Sequence, residues 1–241
     1  MAGLIKKVIR PQVVFRGFLS LMGALLLAGC ATVTERAARG PVFYHPLPNP
    51  PRIQYLKSFS DARDAGDQPS AFAEFVVGKE AGESETIKKP YGAALYEGKI
   101  YVADSLGPGI AVFDLIAKRF RKIETSGAGG LQQPINITVD KDGTKYITDT
   151  RRNQILAYDR FDKFVRAYGL TDQFRPSDVA IAGERLFVAD VKNHQIHVLD
   201  KRSGQTIRKL GKRGGAEGEF LHPTNLTIGP DNHLYVTDTS N

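Results

Sequence analysis

The sequence lacks the residues that most often build covalent cross-links and metal centres. Cys30 is the one cysteine, so an intramolecular disulfide is excluded. The histidines include no HExxH pair or comparable ligand spacing. A Gly-x-Ser-x-Gly nucleophile elbow is absent, and neither glycine-rich stretch, 127–130 or 211–215, follows a strand and opens a helix as phosphate-binding loops do. We therefore predict no catalytic residue, no metal ligand and no cofactor.

The N-terminus lacks a hydrophobic run long enough to span a bilayer. The uncharged, mostly apolar run from Gly17 to Gly29 has thirteen residues, whereas a spanning helix needs about 20. The residues before it form a basic opening: Lys6, Lys7, Arg10 and Arg16. A basic opening followed by a short apolar run is typical of a secretory signal. We predict a signal peptide over residues 1–29, helical over residues 5–28.

The apolar run ends in Leu27-Ala28-Gly29-Cys30, which resembles the bacterial lipobox. The resemblance implies lipid attachment to the Cys30 thiol and cleavage before it. The next residue is Ala31 and not aspartate, which by the rule of that class implies outer-membrane retention facing the periplasm. The alternative is a buried cysteine in an ordinary N-terminal helix. We expect a cell-envelope protein that contacts the membrane through a lipid at Cys30.

Charge and proline content describe the part that follows. The four basic residues of the signal are matched by no acid, so removing the signal lowers the formal charge from +7 to +3. Nucleic acid is therefore not expected as a partner. Residues 30–51 are predicted to form an extended tether, since proline fixes φ and removes hydrogen-bond donors. Its prolines are Pro41, Pro46, Pro48, Pro50 and Pro51.

Four segments of the remaining chain repeat at spacings of 42 to 47 residues. Each begins at a proline and reaches a short apolar strand that ends in aspartate. The prolines are Pro90, Pro134, Pro176 and Pro223, and the aspartates are Asp104, Asp149, Asp190 and Asp238. Three units add a further strand ending in Asp114, Asp159 or Asp200. Alternation with a period of two, and a fourth strand such as Phe164–Tyr168, predict four antiparallel strands per unit.

Four-stranded units of this length are typical of β-propeller blades. The repeat resembles the NHL repeat, and the chain is similar to bacterial six-bladed propeller lipoproteins, which implies a closed ring. The expected fold is all-β: an incomplete ring over residues 52–241 with three full blades and two strands of a fourth. A strand over Ile53–Phe59 is expected to complete the last blade of a full ring. A short helix is predicted over residues 71–77.

The recurring aspartates have two interpretations. They could gather near the axis as metal ligands or acid–base groups, or each could accept N–H bonds from the turn that follows its strand, and we favour the second. Strand aromatics are expected to pack blade on blade. They are Tyr101, Phe113, Tyr146, Tyr158, Phe187 and Tyr235.

The candidate binding face lies at the turns between the second and third strands. Arg151, Arg152, Lys192 and His194 occupy such turns in two successive units and could form a basic patch for an anionic polymer or an acidic protein loop. The alternative for these residues is an ordinary solvated surface. The favoured function, which the resemblance to the propeller family implies, is a binding or scaffolding module for a protein or glycan partner. The alternative is a metal-dependent propeller enzyme of the envelope, lyase or lactonase-like, because relatives of the repeat include enzymes with a central metal held by histidines.

Overall fold

A computed structural model describes residues 42–44, 50, 53–66, 86–123, 125–170 and 173–241. The helices predicted over 5–28 and 71–77, and Cys30 itself, lie outside these ranges. The chain divides into two compact units, Met1–Lys57 and Ser58–Asn241. Within the described ranges, no helix has the length and apolar character needed to cross a membrane.

The first unit contains one short antiparallel pair of strands. Strand β1 (Val42–Tyr44) pairs with β2 (Ile53–Tyr55), with Phe43 opposite Gln54. The strand expected over Ile53–Phe59 therefore ends at Tyr55, and its partner is β1 and not a blade strand. Phe59 instead belongs to the second unit, because its ring packs 5.1 Å from that of Phe113. Phe59 therefore packs on blade 1 and does not extend strand β2.

The second unit confirms the predicted repeat. Blade 1 comprises β3 (Pro90–Tyr96), β4 (Lys99–Asp104), β5 (Gly109–Asp114) and β6 (Arg119–Ile123). Blade 2 comprises β7 (Pro134–Val139), β8 (Lys145–Asp149), β9 (Gln154–Tyr158) and β10 (Phe164–Tyr168). Blade 3 comprises β11 (Pro176–Ala182), β12 (Arg185–Asp190), β13 (Gln195–Asp200) and β14 (Thr206–Leu210). Blade 4 is represented by β15 (Pro223–Ile228) and β16 (Leu234–Asp238).

Every blade is an antiparallel sheet in which the strands follow chain order. The first strands of successive blades contact one another, so they lie nearest the propeller axis. Because neighbouring strands are antiparallel, the turns between first and second strands and those between third and fourth strands lie at one end of the unit. The other turns and the loops between blades lie at the opposite end. Among the described residues, two short 3₁₀ helices, Ala62–Ala65 and Gly127–Gly129, lie outside the sheets.

The blades are held together by apolar side chains on both faces of each sheet. In blade 2, Ile147 and Leu156 face blade 1, in a cluster with Tyr101 and Ile137. The neighbouring Tyr146 faces blade 3, in a cluster that includes Ile155, Val188 and Leu199. Because alternate residues of a strand point to opposite faces, a strand that is covered on both sides is buried along most of its length. Strands β8 and β9 show this burial.

The two outermost sheets differ in how their free faces are covered. On blade 1, Phe59, Ala65 and Ile87 cover Phe113. On blade 4, Tyr235 is 53% exposed, whereas Tyr146, at the matching position of blade 2, is 4% exposed. The prediction that Tyr235 is a core residue is therefore wrong for the described chain. Its neighbours Leu234 and Val236 pack toward blade 3, so the ring of Tyr235 lies on the other face of the sheet, where its hydroxyl donates to Asp231 Oδ2 at 2.8 Å. The other five aromatics predicted to lie in the core are buried or packed against it.

The aspartates at the ends of the second strands in blades 1 to 3 join two loops each. Asp149 is fully buried and accepts N–H bonds from Gln132 and Gln133 before the blade, and from Arg151 and Arg152 in the turn after its strand. Asp104 and Asp190 likewise bind backbone N–H groups on both sides of the strand pair. In blade 4, Asp238 accepts the backbone N–H groups of Leu221 and His222 and the side-chain amide of Asn241.

Asp104, Asp149, Asp190 and Asp238 are hereafter called the clamp aspartates. Their interpretation as acceptors of N–H bonds from the following turn is confirmed for Asp104, Asp149 and Asp190. The other set of aspartates, Asp114, Asp159 and Asp200, also accepts N–H bonds of its own turns.

Candidate functional site

The candidate site is one end of the second unit, called here the turn face. It comprises the turns after second strands and the loops leading into first strands. Its described residues are 86–89, 105–108, 125–133, 150–153, 169–170, 173–175, 191–194, 211–222 and 239–241. Side chains as well as clamp aspartates join these segments. The Nδ2 of Asn193 donates to Gln173 O at 3.2 Å, and His194 Nδ1 lies 2.5 Å from Leu221 O of the next loop. The turn face is therefore a connected surface.

The four predicted binding residues have different surroundings on this face. Arg151 and Lys192 occupy matching positions and are exposed. The guanidinium of Arg152 is engaged, because it donates to Gly130 O at 2.6 Å and to Gln154 Oε1 at 3.1 and 3.2 Å. His194 has a left-handed backbone, and its ring packs edge-on against that of His222. Arg151 and Lys192 thus present exposed cations, while Arg152 and His194 hold the loops.

Sequence reasoning missed three residues that directly precede the recurring prolines. The backbone N–H groups of Lys89, Arg175 and His222 are bound by the clamp aspartate of their own blade, at 2.8, 3.1 and 2.5 Å. All three side chains are exposed. The signal was present in the alignment of repeats, because the position before the proline is basic or histidine in three of the four units. Each clamp aspartate therefore fixes the backbone at the positions that present these cations.

The charge of the turn face is strongly one-sided within the described residues. Its exposed cationic side chains are Lys88, Lys89, Arg151, Arg175, Lys192, Lys212 and Arg213. Against them stands the exposed Glu217, while Glu219 is partly buried and pairs with Lys212 at 3.1 Å. The clamp aspartates of blades 1 to 3 are buried beneath these exposed cations, with their carboxylates bound to backbone N–H groups. A surface of this kind attracts and orients anionic groups.

The clamp of blade 3 contains a buried histidine. His197 Nε2 lies 2.8 Å from Asp190 Oδ2, and both side chains are fully buried. Burial opposes ionisation of Asp190, but hydrogen bonds from His197, Asn193 and backbone N–H groups together lower the pKa of this carboxyl. The ring of Phe174 packs against the imidazole with centroids 5.2 Å apart. The pair therefore supports the turn that carries Lys192.

The histidines do not assemble a metal centre among the residues that the structure describes. His194 and His222 lie on adjoining loops, but His233 lies at the opposite end, where its Nδ1 is 2.9 Å from Asp231 Oδ2. No group of three or more histidine, cysteine, aspartate or glutamate side chains converges within those ranges. The prediction of no metal ligand concerns the whole chain and stays a prediction.

A cavity of about 390 Å³ lies along the axis, between the first strands of the four blades. Its lining comes from Ala93–Leu95, Ile137–Asp140, Val179–Ile181 and Leu226–Ile228. Just before each lining segment the strand has a bulge, at Gly92, Asn136, Asp178 and Asn225. The glycine is required by close approach, because a Cβ at Gly92 would lie 2.0 Å from Asn136 Oδ1. The other three positions carry a polar side chain.

Asp178 is the one acid at these bulges. It is 5% exposed, and its carboxylate accepts the N–H of Val179 at 2.7 Å and that of Leu226 in blade 4 at 2.8 Å. Burial raises the pKa of this carboxyl to about 6, and the two N–H bonds offset only part of that effect. A buried acid that titrates near neutrality beside an axial cavity is a candidate functional group.

Comparison with known proteins supports the propeller architecture. Residues 171–241 match a protein family described as a 6-bladed beta-propeller. Streptogramin B lyase is similar over 63% of this chain and 49% of its own, with 20% identity and a TM-score of 0.51. Virginiamycin B lyase from Staphylococcus aureus is similar over 64% of this chain and 50% of its own, with 17% identity and a TM-score of 0.51. No curated protein matches the chain.

A third solved structure belongs to a different enzyme class. Hydrazine synthase from Kuenenia stuttgartiensis is similar over 64% of this chain and 44% of its own, at 16% identity and a TM-score of 0.50. The chain thus spans about half the length of the solved structures it matches. At these identities the likeness establishes the fold and does not transfer an activity.

We predict that Asp178→Asn makes the stability of the protein less dependent on pH. Because the folded-state pKa of Asp178 lies above its ordinary value, the contribution of Asp178 to stability is fully present below pH 4 and is lost as the pH rises through 6. Asparagine removes the buried charge and keeps one acceptor oxygen, as Asn136 does at the matching bulge, but it leaves the N–H of Leu226 without its acceptor. Denaturant unfolding should therefore show a variant less stable than wild type at pH 4, and the difference should shift in favour of the variant by up to about 3 kcal/mol between pH 4 and pH 8.

The matched control has the opposite sign. Burial of Asp104 favours its neutral form, but four backbone N–H bonds outweigh burial and lower the pKa of this carboxyl. Asp104→Asn should therefore destabilise the protein at neutral pH, and the loss should shrink as the pH falls below 4. A difference between Asp178→Asn and wild type that is equal at pH 4 and pH 8 would contradict this account of Asp178.

Proposed function

We propose that the chain is a lipid-anchored protein of the bacterial cell envelope whose NHL-like propeller blades bind an anionic partner through the turn face. The partner is an anionic glycan or an acidic segment of another protein. The observation that carries the proposal is the set of exposed cations on backbone positions fixed by buried aspartates. In blade 2, the carboxylate of Asp149 accepts the N–H groups of Arg151 and Arg152 and also that of Gln133 in the loop before the blade.

Fixed backbone positions favour binding because less conformational freedom is lost when the partner arrives. Arg151 and Arg175 add planar guanidinium groups, which match carboxylate, phosphate and sulfate groups through paired N–H donors. The cations are spread over several blades and do not converge on one point. An extended anionic partner therefore fits this surface better than a single small ion.

Anchoring at the envelope is supported by the N-terminal sequence. The lipobox-like Leu27-Ala28-Gly29-Cys30 follows a basic opening and a short apolar run, and Ala31 favours the outer membrane facing the periplasm. A diacylated or triacylated cysteine supplies more than one acyl chain, which stable anchoring requires. Residues 31–51 would then separate the propeller unit from the membrane.

A metal-dependent lyase or lactonase-like enzyme is the second candidate. The axial cavity and the raised pKa of Asp178 favour it, because a concave site with a carboxyl that titrates near neutrality can support acid–base chemistry. A stoichiometric, chelator-removable metal ion in the full chain would favour this candidate over the first.

We predict that the double variant Arg151→Glu/Arg175→Glu loses affinity for polyanions. Two probes, immobilised heparin and polyglutamate, represent the glycan and acidic-protein classes. Because the two substitutions replace exposed cations of the turn face with acids that repel a polyanion, the dissociation constant should rise by on the order of tenfold or more. Raised salt should weaken the wild-type complex with either probe.

The matched control places the same charge changes at the opposite end of the unit. Lys141→Glu/Arg185→Glu alters the net charge equally but lies outside the turn face. It should retain near wild-type affinity. Equal losses in the two double variants would show that net charge and not the turn face governs binding, and no wild-type binding to either probe would overturn the proposal.

A separate prediction concerns the anchor. Expressed in a Gram-negative host, the wild-type chain should incorporate labelled palmitate and sediment with outer membranes, because the lipobox thiol is acylated. Cys30→Ala should lose the label, since it removes the one thiol of the chain. Ala31→Asp should keep the label but remain with inner membranes. Labelling that persists in Cys30→Ala would contradict lipid attachment at this residue.

A further inference from the structure

The turns between third and fourth strands, called here the outer rim, carry two protruding apolar side chains. Ile116 in blade 1 is 77% exposed, and Phe161 in blade 2 is 72% exposed. They occupy matching positions, two residues after Asp114 and Asp159. Blade 3 has Arg202 at this position, so the turn itself does not require an apolar residue. A single exposed apolar side chain is common on protein surfaces, but matching positions of two adjacent blades form a candidate contact surface.

Both apolar tips stand on fixed turns. The N–H of Ile116 donates to Asp114 Oδ1 at 3.2 Å, and the N–H of Phe161 donates to Asp159 Oδ1 at 2.8 Å. Each turn then reverses through a left-handed residue, with φ of 52° at Lys118 and 65° at Asp162. Such turns hold the tips out from the ends of the sheets and not over the core.

The exposed charges within these turns have one sign, whereas their acids, Asp114, Asp159, Asp162 and Asp200, are partly buried. The exposed charged residues within these turns are Lys118, Arg160, Lys163 and Arg202. Asp162 is already paired, with Lys145 at 2.8 Å and with Arg121 at 2.5 Å. The guanidinium of Arg160 lies 5.6 Å from the centroid of the Phe161 ring. The outer rim thus combines apolar tips with cations.

Exposed acids at this end of the unit lie on the axial side. Glu97, Asp142, Glu184 and Asp231 belong to the turns between first and second strands. Because first strands are innermost and fourth strands outermost, these acids lie nearer the axis than the rim cations do. A surface that approaches the outer rim of blades 1 and 2 would therefore contact the cations and the apolar tips before it contacts the acids.

We propose that the outer rim of blades 1 and 2 docks on an anionic lipid bilayer. Ile116 and Phe161 enter the headgroup region, and the rim cations contact lipid phosphates. A bilayer fits better than a protein because each tip protrudes alone and the two line no groove. The inference rests on the proposed envelope location, which places a membrane within reach. It also turns the opposite end, the turn face, away from the membrane and toward its partner.

The sequence contains no tryptophan, so a single introduced indole reports its own surroundings. The test uses the full chain as Phe161→Trp, with vesicles of phosphatidylglycerol and phosphatidylcholine in equal parts. The indole emission of this variant should shift to shorter wavelength on these vesicles, and brominated lipids should quench it. Vesicles of phosphatidylcholine alone should give a smaller shift, since they lack the negative charge that attracts the rim.

The matched control is Leu170→Trp, because Leu170 is a 77% exposed loop leucine on the turn face. Its emission should stay unshifted and unquenched on the same vesicles. Unshifted emission from Phe161→Trp would overturn the proposal. Quenching of Leu170→Trp would also overturn it, even if Phe161→Trp is quenched as well. Adding Cys30→Ala to Phe161→Trp separates rim contact from anchoring, since the emission shift should persist there. Failure of polyanion binding at the turn face would leave this shift unchanged.

Discussion

The buried carboxylate at the end of each second strand is the interaction on which the rest of the second unit depends. A strand end leaves backbone N–H groups in two loops without partners, and each buried donor left unsatisfied costs about 1–3 kcal/mol. In blades 1 to 3, one aspartate per blade satisfies both loops at once. Asp149 does so with four backbone N–H groups, and Asp190 adds the side chains of Asn193 and His197. The same bonds fix the positions from which Arg151 and Lys192 reach solvent.

The clamps link the fold to the proposed function through the two ends of the unit. At the turn face, aspartates that accept bonds from the loop backbone hold the positions of exposed cations. At the opposite end, a second set of aspartates caps the turns that present Ile116 and Phe161. Antiparallel strands carry both sets on the same sheets. A membrane contact at one end and a partner at the other would therefore share one rigid support.

Much of the fold could be predicted because its signals are local and repeated. Alternation along strands such as Lys145–Asp149, together with a proline and an aspartate once per unit, sufficed for the blades and the clamps. The roles of neighbouring side chains could not be predicted in this way. Arg151 and Arg152 are adjacent and chemically identical. Only the structure shows that Arg152 donates to Gly130 O and holds a loop, whereas Arg151 is an exposed cation. Likewise, the burial of the Phe59 and Tyr235 rings depends on which residues cover the end sheets, and no local sequence pattern predicts that cover.

Amide hydrogen exchange tests the central claim most directly. In the wild-type protein, the loop amides of Gln133, Arg151 and Arg152 should exchange as slowly as strand amides of blade 2, because Asp149 binds them. In Asp149→Ala, protection should be lost at these amides while Arg175 and Lys192, clamped by Asp190, keep theirs. Rapid exchange of the Asp149-bound amides in the wild type, or unchanged protection in Asp149→Ala, would contradict the account.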